Sequence, residues 1–230
     1  RRPPQMCIRD SIRRMKARGP DLEIIQQWIQ PNSKVLDLGC GDGSLLHYLQ
    51  ATKNVHGIGL EIDAENIQHC LENGTNVIEQ NLDKGLSNFR SESFDTVLLA
   101  QTLQALSKPD HLIDEMLRIG KNGIVTFPNF GNWKSRLYLA SRGRMPVSKF
   151  IPHSWYNTPN IHFCTVKDFD ALCAEKNIKI LARTVVDLEH QGSWYMRAWP
   201  NLLGEIAIYH ISKNLSLIHI SEPTRRAPIS

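Results

Sequence analysis

The feature that most constrains this chain is a glycine-rich turn at residues 35–43, which read Val-Leu-Asp-Leu-Gly-Cys-Gly-Asp-Gly. Residues 34–38 are typical of a short buried strand, and the leucines that follow Gly43 are typical of the first turns of a helix. A strand that becomes a helix through glycines directs backbone N–H groups and the positive helix end at the space above the strand. The sequence therefore predicts a site for a small polar or charged molecule.

The residues around the glycines favour one ligand class over another. A dinucleotide fingerprint would place glycine or alanine where this chain has Ser44, with a pyrophosphate over the helix. Asp37 stands just before the first glycine, and its carboxylate repels a pyrophosphate but attracts an amine. S-adenosylmethionine carries an amino-acid head group and a sulfonium, so the turn suits it better than NAD. The alternative at this point is an ordinary glycine-rich turn.

Polar residues also follow three further predicted strands, at the edge where parallel strands end. In a βαβ unit, the acid after the second strand is placed to bind ribose hydroxyls, and polar groups after the third suit an adenine amino group. Together such groups predict a ligand crevice of an open α/β sheet. They are Glu61 at the end of strand 55–61, Asn81 and Leu82 after strand 76–80, and Gln101 after strand 94–100.

Helices and strands alternate along most of the chain, which predicts an α/β fold with a mainly parallel sheet and helices on both faces. Asp63 and Thr165 are predicted N-caps. The remaining predicted elements are helices over 21–30, 64–73, 110–119 and 166–177, and strands over 123–127, 178–186 and 205–212.

The spacing of Asp37, the glycines and Glu61 resembles that of class I S-adenosylmethionine-dependent methyltransferases. Motifs at 101–105, 125–133, 143–146 and 155–162 resemble the bacterial MetW family of methionine biosynthesis, and the likeness covers about residues 11–213. This resemblance implies a Rossmann-like class I methyltransferase fold with a seven-stranded sheet and an antiparallel last strand. It also implies a partner, because that family works beside the homoserine O-acyltransferase of methionine synthesis.

From the resemblance we expect S-adenosylmethionine, or its product S-adenosylhomocysteine, as cofactor. The methionine part is expected at Asp37 and the turn backbone, the ribose at Glu61, and the adenine at Asn81 and Leu82. Asn81 replaces the aspartate more frequent in related sequences, yet its amide oxygen can still accept a hydrogen bond from adenine. The predicted cofactor residues are Asp37, Gly39, Cys40, Gly41, Gly43, Glu61, Asn81, Leu82 and Gln101.

Residues 129–163 interrupt the alternation with a basic insertion that carries aromatic residues and contains no acid. It could be a lid over an acceptor pocket, a docking surface for an acidic partner, or a solvated helix whose apolar side is packed. Because the segment has no aspartate or glutamate to balance its lysines and arginines, it favours binding of an anion or an acidic protein surface. Candidate contacts with a substrate or partner are Asn129, Arg136, Arg142, Arg144, Tyr156, Asn160 and His162.

Composition predicts one globular domain, with 41% hydrophobic and 22% charged residues in a chain of 230. Segments 1–11 and 215–230 resemble translated sequencing-adapter read-through, and we interpret them as non-native extensions of a domain at 12–214. They supply +3 of the formal charge of +4, and the small positive charge that remains on the domain does not indicate a nucleic-acid-binding protein.

No apolar run approaches the roughly 20 residues of a membrane span, and the five cysteines form no metal-ligand pattern. We expect a cytoplasmic protein with no metal, nucleic-acid or membrane partner.

Two function classes remain. In the first, the protein binds S-adenosylmethionine and activates a homoserine O-acyltransferase. In the second, it is itself a methyltransferase that acts on an acidic small molecule held by the insertion. The sequence has no nucleophile–base pair, no paired carboxylates and no metal cluster, which favours the first class because another chain must then perform the acyl transfer. An RNA methyltransferase ranks last because it would need a wider basic surface.

Overall fold

The computed structural model describes residues 21–147, 154, 156–158, 162–187, 196 and 198–214. The two predicted extensions, 1–11 and 215–230, lie outside these residues. No helix in the described part of the chain is long and apolar enough to cross a membrane.

One sheet holds all seven strands that the described residues form. They are β1 (Lys34–Leu38), β2 (His56–Glu61), β3 (Val77–Glu79), β4 (Phe94–Ala100), β5 (Gly120–Pro128), β6 (Ile178–Val186) and β7 (Ile206–Lys213). Their order is β3-β2-β1-β4-β5-β7-β6. Neighbours from β3 to β5 pair in parallel, whereas β7 runs antiparallel to both β5 and β6. The predicted mainly parallel sheet with a reversed last strand is confirmed.

Helices cover both faces of this sheet, as predicted. Adjacent residues of a strand point to opposite faces, and Val35 and Leu36 of β1 accordingly belong to different hydrophobic clusters. The first three helices pack on the Val35 side, and the helices at 109–119 and 166–175 pack on the Leu36 side. The helices are α1 (Asp21–Trp28), α2 (Ser44–Lys53), α3 (Ala64–Glu72), α4 (Pro109–Ile119), α5 (Trp133–Arg142), α6 (Val166–Glu175) and the short α7 (Pro200–Leu203).

Local sequence signals explain several boundaries. The Asp63 carboxylate accepts the Asn66 N–H at 2.9 Å and so caps α3. Thr165 caps α6 through a reciprocal capping box with Asp168. Both predicted N-caps are therefore confirmed.

Strand β5 begins at Gly120, three residues earlier than the apolar pattern predicts. The polar residue Asn122 belongs to the strand because its side chain is paired at the sheet: its Nδ2 donates to the Asp95 carbonyl at 2.7 Å. Its Oδ1 accepts the Thr96 hydroxyl at 3.2 Å. A hydrophobicity pattern misses such residues because it treats every polar side chain as solvent-facing.

Part of the basic insertion forms α5. Asn132 caps its start by accepting the Lys134 N–H at 2.9 Å, and Gly143 ends it in the left-handed conformation. None of the side chains of α5 is buried. Trp133 and Leu137 are 44% and 57% exposed, so the interpretation of a solvated helix with a packed apolar side is wrong.

Candidate ligand site at the glycine turn

Asp37 occupies the middle of the sheet at the carboxyl end of β1. Its Cα pairs in register with Gly59 of β2 on one side and with Leu98 of β4 on the other. The residue is only 2% exposed. A buried carboxylate at the carboxyl edge of a doubly wound sheet lies where such folds bind their ligands.

The three glycines of the turn adopt left-handed conformations, with φ of 75° at Gly39, 55° at Gly41 and 72° at Gly43. A Cβ at Gly39 would lie 2.7 Å from the Thr102 hydroxyl, and one at Gly43 would lie 2.8 Å from the Cys70 sulfur. A Cβ at Gly41 would meet no atom of the described residues within 4 Å. The turn is therefore packed at both ends and open at Gly41.

Most backbone N–H groups of the turn already have acceptors within the protein, which differs from the expectation that they point at a ligand. The Gly39 and Cys40 N–H groups donate to the Leu60 carbonyl at 2.8 and 3.1 Å. The Gly43 N–H donates to the Cys40 carbonyl at 3.1 Å, and the Ser44 N–H donates to the Asp42 carboxylate at 3.0 Å. An anion at the start of α2 would compete with these acceptors, so the geometry disfavours a phosphate ligand.

Glu61 connects β2 to the turn and is 9% exposed. Its Oε2 accepts the Gly41 N–H at 2.8 Å. Its Oε1 accepts the Ile62 and Asp63 N–H groups at 2.8 and 3.0 Å. A carboxylate offers about four lone-pair positions, so Oε2 keeps one for a further donor. The predicted ribose ligand thus also holds the turn in shape.

Three carboxylates, those of Asp37, Asp42 and Glu61, surround the turn, and two cysteines lie next to it. The Cys40 and Cys70 sulfurs lie 3.8 Å apart. Burial raises the pKa of the Cys40 thiol, and the charges of Asp37 and Glu61 raise it further. Burial also raises the pKa of the Cys70 thiol, with smaller contributions from Asp42, Glu61 and Asp37. A site surrounded by these carboxylates favours a cationic group.

The residues predicted to contact adenine lie at the start of a single 3₁₀ turn. The Asn81 side-chain oxygen accepts the Asp83 N–H at 2.9 Å and so caps the turn Leu82–Lys84. That oxygen keeps one lone pair for a ligand donor. Leu82 is partly buried against the main core. The hydrogen bond from the Asp83 N–H therefore holds the Asn81 side chain in place and occupies one of the two lone pairs of its oxygen.

Gln101 follows β4 with φ of 54°, a conformation rare for residues other than glycine. Its N–H donates to the Thr126 carbonyl and hydroxyl oxygens, both at 3.0 Å. Its carbonyl accepts the Gln104 side-chain amide at 3.0 Å. The chain is thus held in a sharp turn beside the glycines.

One predicted substrate contact, His162, lies near this second turn, and another, Asn129, follows β5. The His162 N–H donates to the Gln104 carbonyl at 3.0 Å, which brings His162 to the segment after β4. Asn129 is 4% exposed: its Nδ2 donates to the Asn201 and Gly204 carbonyls at 3.0 and 2.8 Å. Its Oδ1 accepts backbone N–H groups of residues 131 and 166. Contact of Asn129 with a second ligand gains no support, because the protein itself uses its amide.

The other candidates lie along and after α5. The Arg136 Nε donates to the Gly131 carbonyl at 2.6 Å, and the Arg142 guanidinium lies 5.3 Å from the centroid of the Tyr138 ring. Arg144 and Tyr156 line an open cavity of about 640 Å³. Asn160 lies outside the described residues.

Three residues of the site are absent from the predicted set. Thr102 packs against Gly39, Cys70 packs against Gly43, and the Asp42 carboxylate accepts the Ser44 N–H just before α2. Glycines that have no room for a Cβ imply such close neighbours, but the sequence does not say which distant residue the neighbour is. Asp42 could have been identified as a turn residue, because an aspartate often accepts the backbone N–H two residues on.

A family model described as methionine biosynthesis protein MetW matches residues 19–211. A bifunctional methionine biosynthesis protein MetXA/MetW from Rhodopirellula baltica is 34% identical over 197 residues, which are 82% of this chain and 32% of that protein. A ubiquinone biosynthesis O-methyltransferase from Hahella chejuensis is 29% identical over 134 residues, which are 54% of this chain and 56% of the relative. The chain spans between about a third and about half the length of these relatives.

Solved structures with this architecture include two SAM-dependent methyltransferases. One, from Thermotoga maritima, has a TM-score of 0.59 and 16% identity, and the match covers 85% of this chain and 88% of the other. The second, from Archaeoglobus fulgidus, has a TM-score of 0.59 and 16% identity, with coverage of 86% and 93%. These matches confirm the predicted class I methyltransferase fold.

Proposed function

The chain belongs to the MetW family of methionine biosynthesis proteins, and on this basis we propose that it binds S-adenosylmethionine or S-adenosylhomocysteine at the glycine turn and activates a homoserine O-acyltransferase. The observation that carries the cofactor proposal is the group of carboxylates around an open Gly41. A ligand with an ammonium group gains from these charges, whereas a phosphate does not. A cytoplasmic location goes with this function.

The residues present fit this cofactor. The buried Asp37 would hold the amino group, the remaining lone pair of Glu61 would accept from a ribose hydroxyl, and Asn81 would accept from the adenine amine. When bound, S-adenosylmethionine supplies an electrophilic methyl group on its sulfonium. We propose that this chain binds the cofactor and that the bound state changes the activity of the acyltransferase partner.

The acyltransferase proposal rests on the family and on the bifunctional relative. That protein unites MetXA and MetW in one chain, and the match to our protein covers 32% of it. Two proteins that occur fused in a relative often act together when they are separate. We therefore propose the homoserine O-acyltransferase as the partner that performs the acyl transfer.

The second candidate is methyl transfer to an acidic small molecule. The open cavity of about 640 Å³ that Arg144 and Tyr156 line favours it, because an arginine beside aromatic rings suits a carboxylate ligand. Transfer of a methyl group from a sulfonium depends mainly on alignment of donor and acceptor and on exclusion of water. A fixed catalytic side chain is not required.

Calorimetric titration with S-adenosylmethionine tests the cofactor site. We expect Asp37→Asn to weaken binding at least tenfold, because an amide cannot neutralise an ammonium group. Asp95→Asn is the matched control, since Asp95 lies at the opposite, amino end of neighbouring β4, and it should bind as the wild type does. Equal affinity of Asp37→Asn and the wild type would exclude this site.

A further inference from the structure

Helix α5 has a face that the described residues leave open. Ser135 and Tyr138 are partly buried and mark the side of α5 that faces the protein. Trp133, Arg136, Leu137 and Ala140 are exposed. Their spacing of i, i+3, i+4 and i+7 places them on one face of the helix, roughly opposite Ser135 and Tyr138.

A second exposed apolar group lies beside the start of α5. Trp199 and Leu202, before and within α7, are 63% and 39% exposed. The Asn132 Nδ2 donates to the Leu203 and Gly204 carbonyls at 3.2 and 3.1 Å, which fixes the α5 N-terminus against α7. Large exposed apolar side chains concentrated in one region are typical of protein interaction sites. Tryptophan in particular is enriched among residues that dominate binding energy.

Apart from one ion pair, the charged side chains of α5 and that of Arg144 are positive. Lys134 forms an ion pair with Glu205 at 2.5 Å. Arg136, Arg142 and Arg144 have no carboxylate partner among the described residues. The face therefore combines apolar side chains with arginines that an external acidic group can pair with.

Resting on the proposed function, we infer that this α5 face is the surface that docks the homoserine O-acyltransferase, at a patch of the partner with an apolar centre and an acidic rim. The occupant follows from the bifunctional MetXA/MetW relative, and the arginines beside the apolar side chains require that its docking patch be acidic at the rim. A second copy of the chain would bring like charges together, which disfavours self-association through this face. A nucleic acid would not use the apolar centre formed by Trp133 and Leu137.

Surface plasmon resonance with the cognate homoserine O-acyltransferase tests this inference. We expect Leu137→Asp to weaken binding at least tenfold, because it places a carboxylate at the centre of the face. The matched control is Leu71→Asp on α3, where the replaced leucine is 64% exposed. A second pair compares Arg136→Glu, on the proposed face, with Arg90→Glu, since Arg90 is exposed and lies outside α5. Arg136→Glu should weaken binding and Arg90→Glu should not.

Calorimetric S-adenosylmethionine binding shows that each variant is folded and keeps its cofactor site. Wild-type binding together with unchanged binding of Leu137→Asp and Arg136→Glu would overturn the docking surface but leave the proposed partnership in place. No binding by the wild-type protein would overturn both. Concentration-dependent dimerisation of the wild type that Leu137→Asp abolishes would also overturn the inference, because a second copy would then occupy this face.

Discussion

Replacing Gly41 by alanine separates the conformational role of the turn from its role as a ligand site. Gly41 has φ of 55°, and no atom of the described residues lies within 4 Å of the added Cβ. Gly74, in the turn after α3, has φ of 71° and is equally open by the same criterion. Gly74→Ala is therefore a matched control for backbone strain outside the site.

The stability changes of the two variants should be similar. A left-handed conformation costs an alanine about 1–2 kcal/mol, and the smaller conformational freedom of the unfolded chain offsets about 0.4–1 kcal/mol. The net loss is roughly 1 kcal/mol, which corresponds to a fall in Tm of roughly 2–4 °C for a protein of this size. Differential scanning calorimetry measures this change.

The affinities for S-adenosylmethionine should differ. The new methyl group of Gly41→Ala occupies the open space over the turn, so we expect at least tenfold weaker binding, or roughly 1.4 kcal/mol. Gly74→Ala should bind as tightly as the wild type. Equal affinities of all three proteins in calorimetric titration would refute the conclusion that the ligand lies against Gly41.

Three other variants test the packing and charges around the sheet. Gly43→Ala should lose roughly 2–4 kcal/mol in urea denaturation, because strain adds to overlap with the Cys70 sulfur 2.8 Å from the new Cβ; a loss equal to that of Gly74→Ala would contradict this. Glu61→Gln should lose about 1–3 kcal/mol in the same assay, since one amide oxygen cannot replace both carboxylate oxygens toward three N–H donors; unchanged stability would show that these bonds contribute little. The hydrogen bond from Lys121 lowers the pKa of Asp95 below its ordinary value of 3.8, so this pair should stabilise the fold fully above pH 4 and progressively less as the pH falls below it. The difference in stability between the wild type and Asp95→Asn should therefore disappear in acid, and a constant difference from pH 7 to pH 2 would refute it.

The sheet could be predicted from the sequence because its signals are local. β1 and β4 have the predicted bounds, since each is an apolar run bounded by polar residues or glycine. The turn from β1 to α2 at the glycines was likewise predicted from their spacing, whereas the left-handed conformations of these glycines are a finding of the structure. The start of β5 was not, because Asn122 is satisfied by partners 26 and 27 residues away in sequence.

The place of the candidate residues at the carboxyl ends of the strands could be predicted from the sequence, whereas their hydrogen bonding could not. Glu61 was expected to face a ligand, and the structure shows that it also holds Gly41 in place. The amide of Asn129 is taken up by carbonyls more than 70 residues away in sequence. Such contacts depend on how distant loops pack, which no local pattern encodes.

The activity of the cognate homoserine O-acyltransferase, assayed with and without the full chain and in the presence and absence of S-adenosylmethionine, tests the proposed function. We expect higher acyltransferase activity when the chain is added, with a dependence on S-adenosylmethionine that Asp37→Asn abolishes. Acyltransferase activity that is the same with and without the chain, at every S-adenosylmethionine concentration, would contradict it.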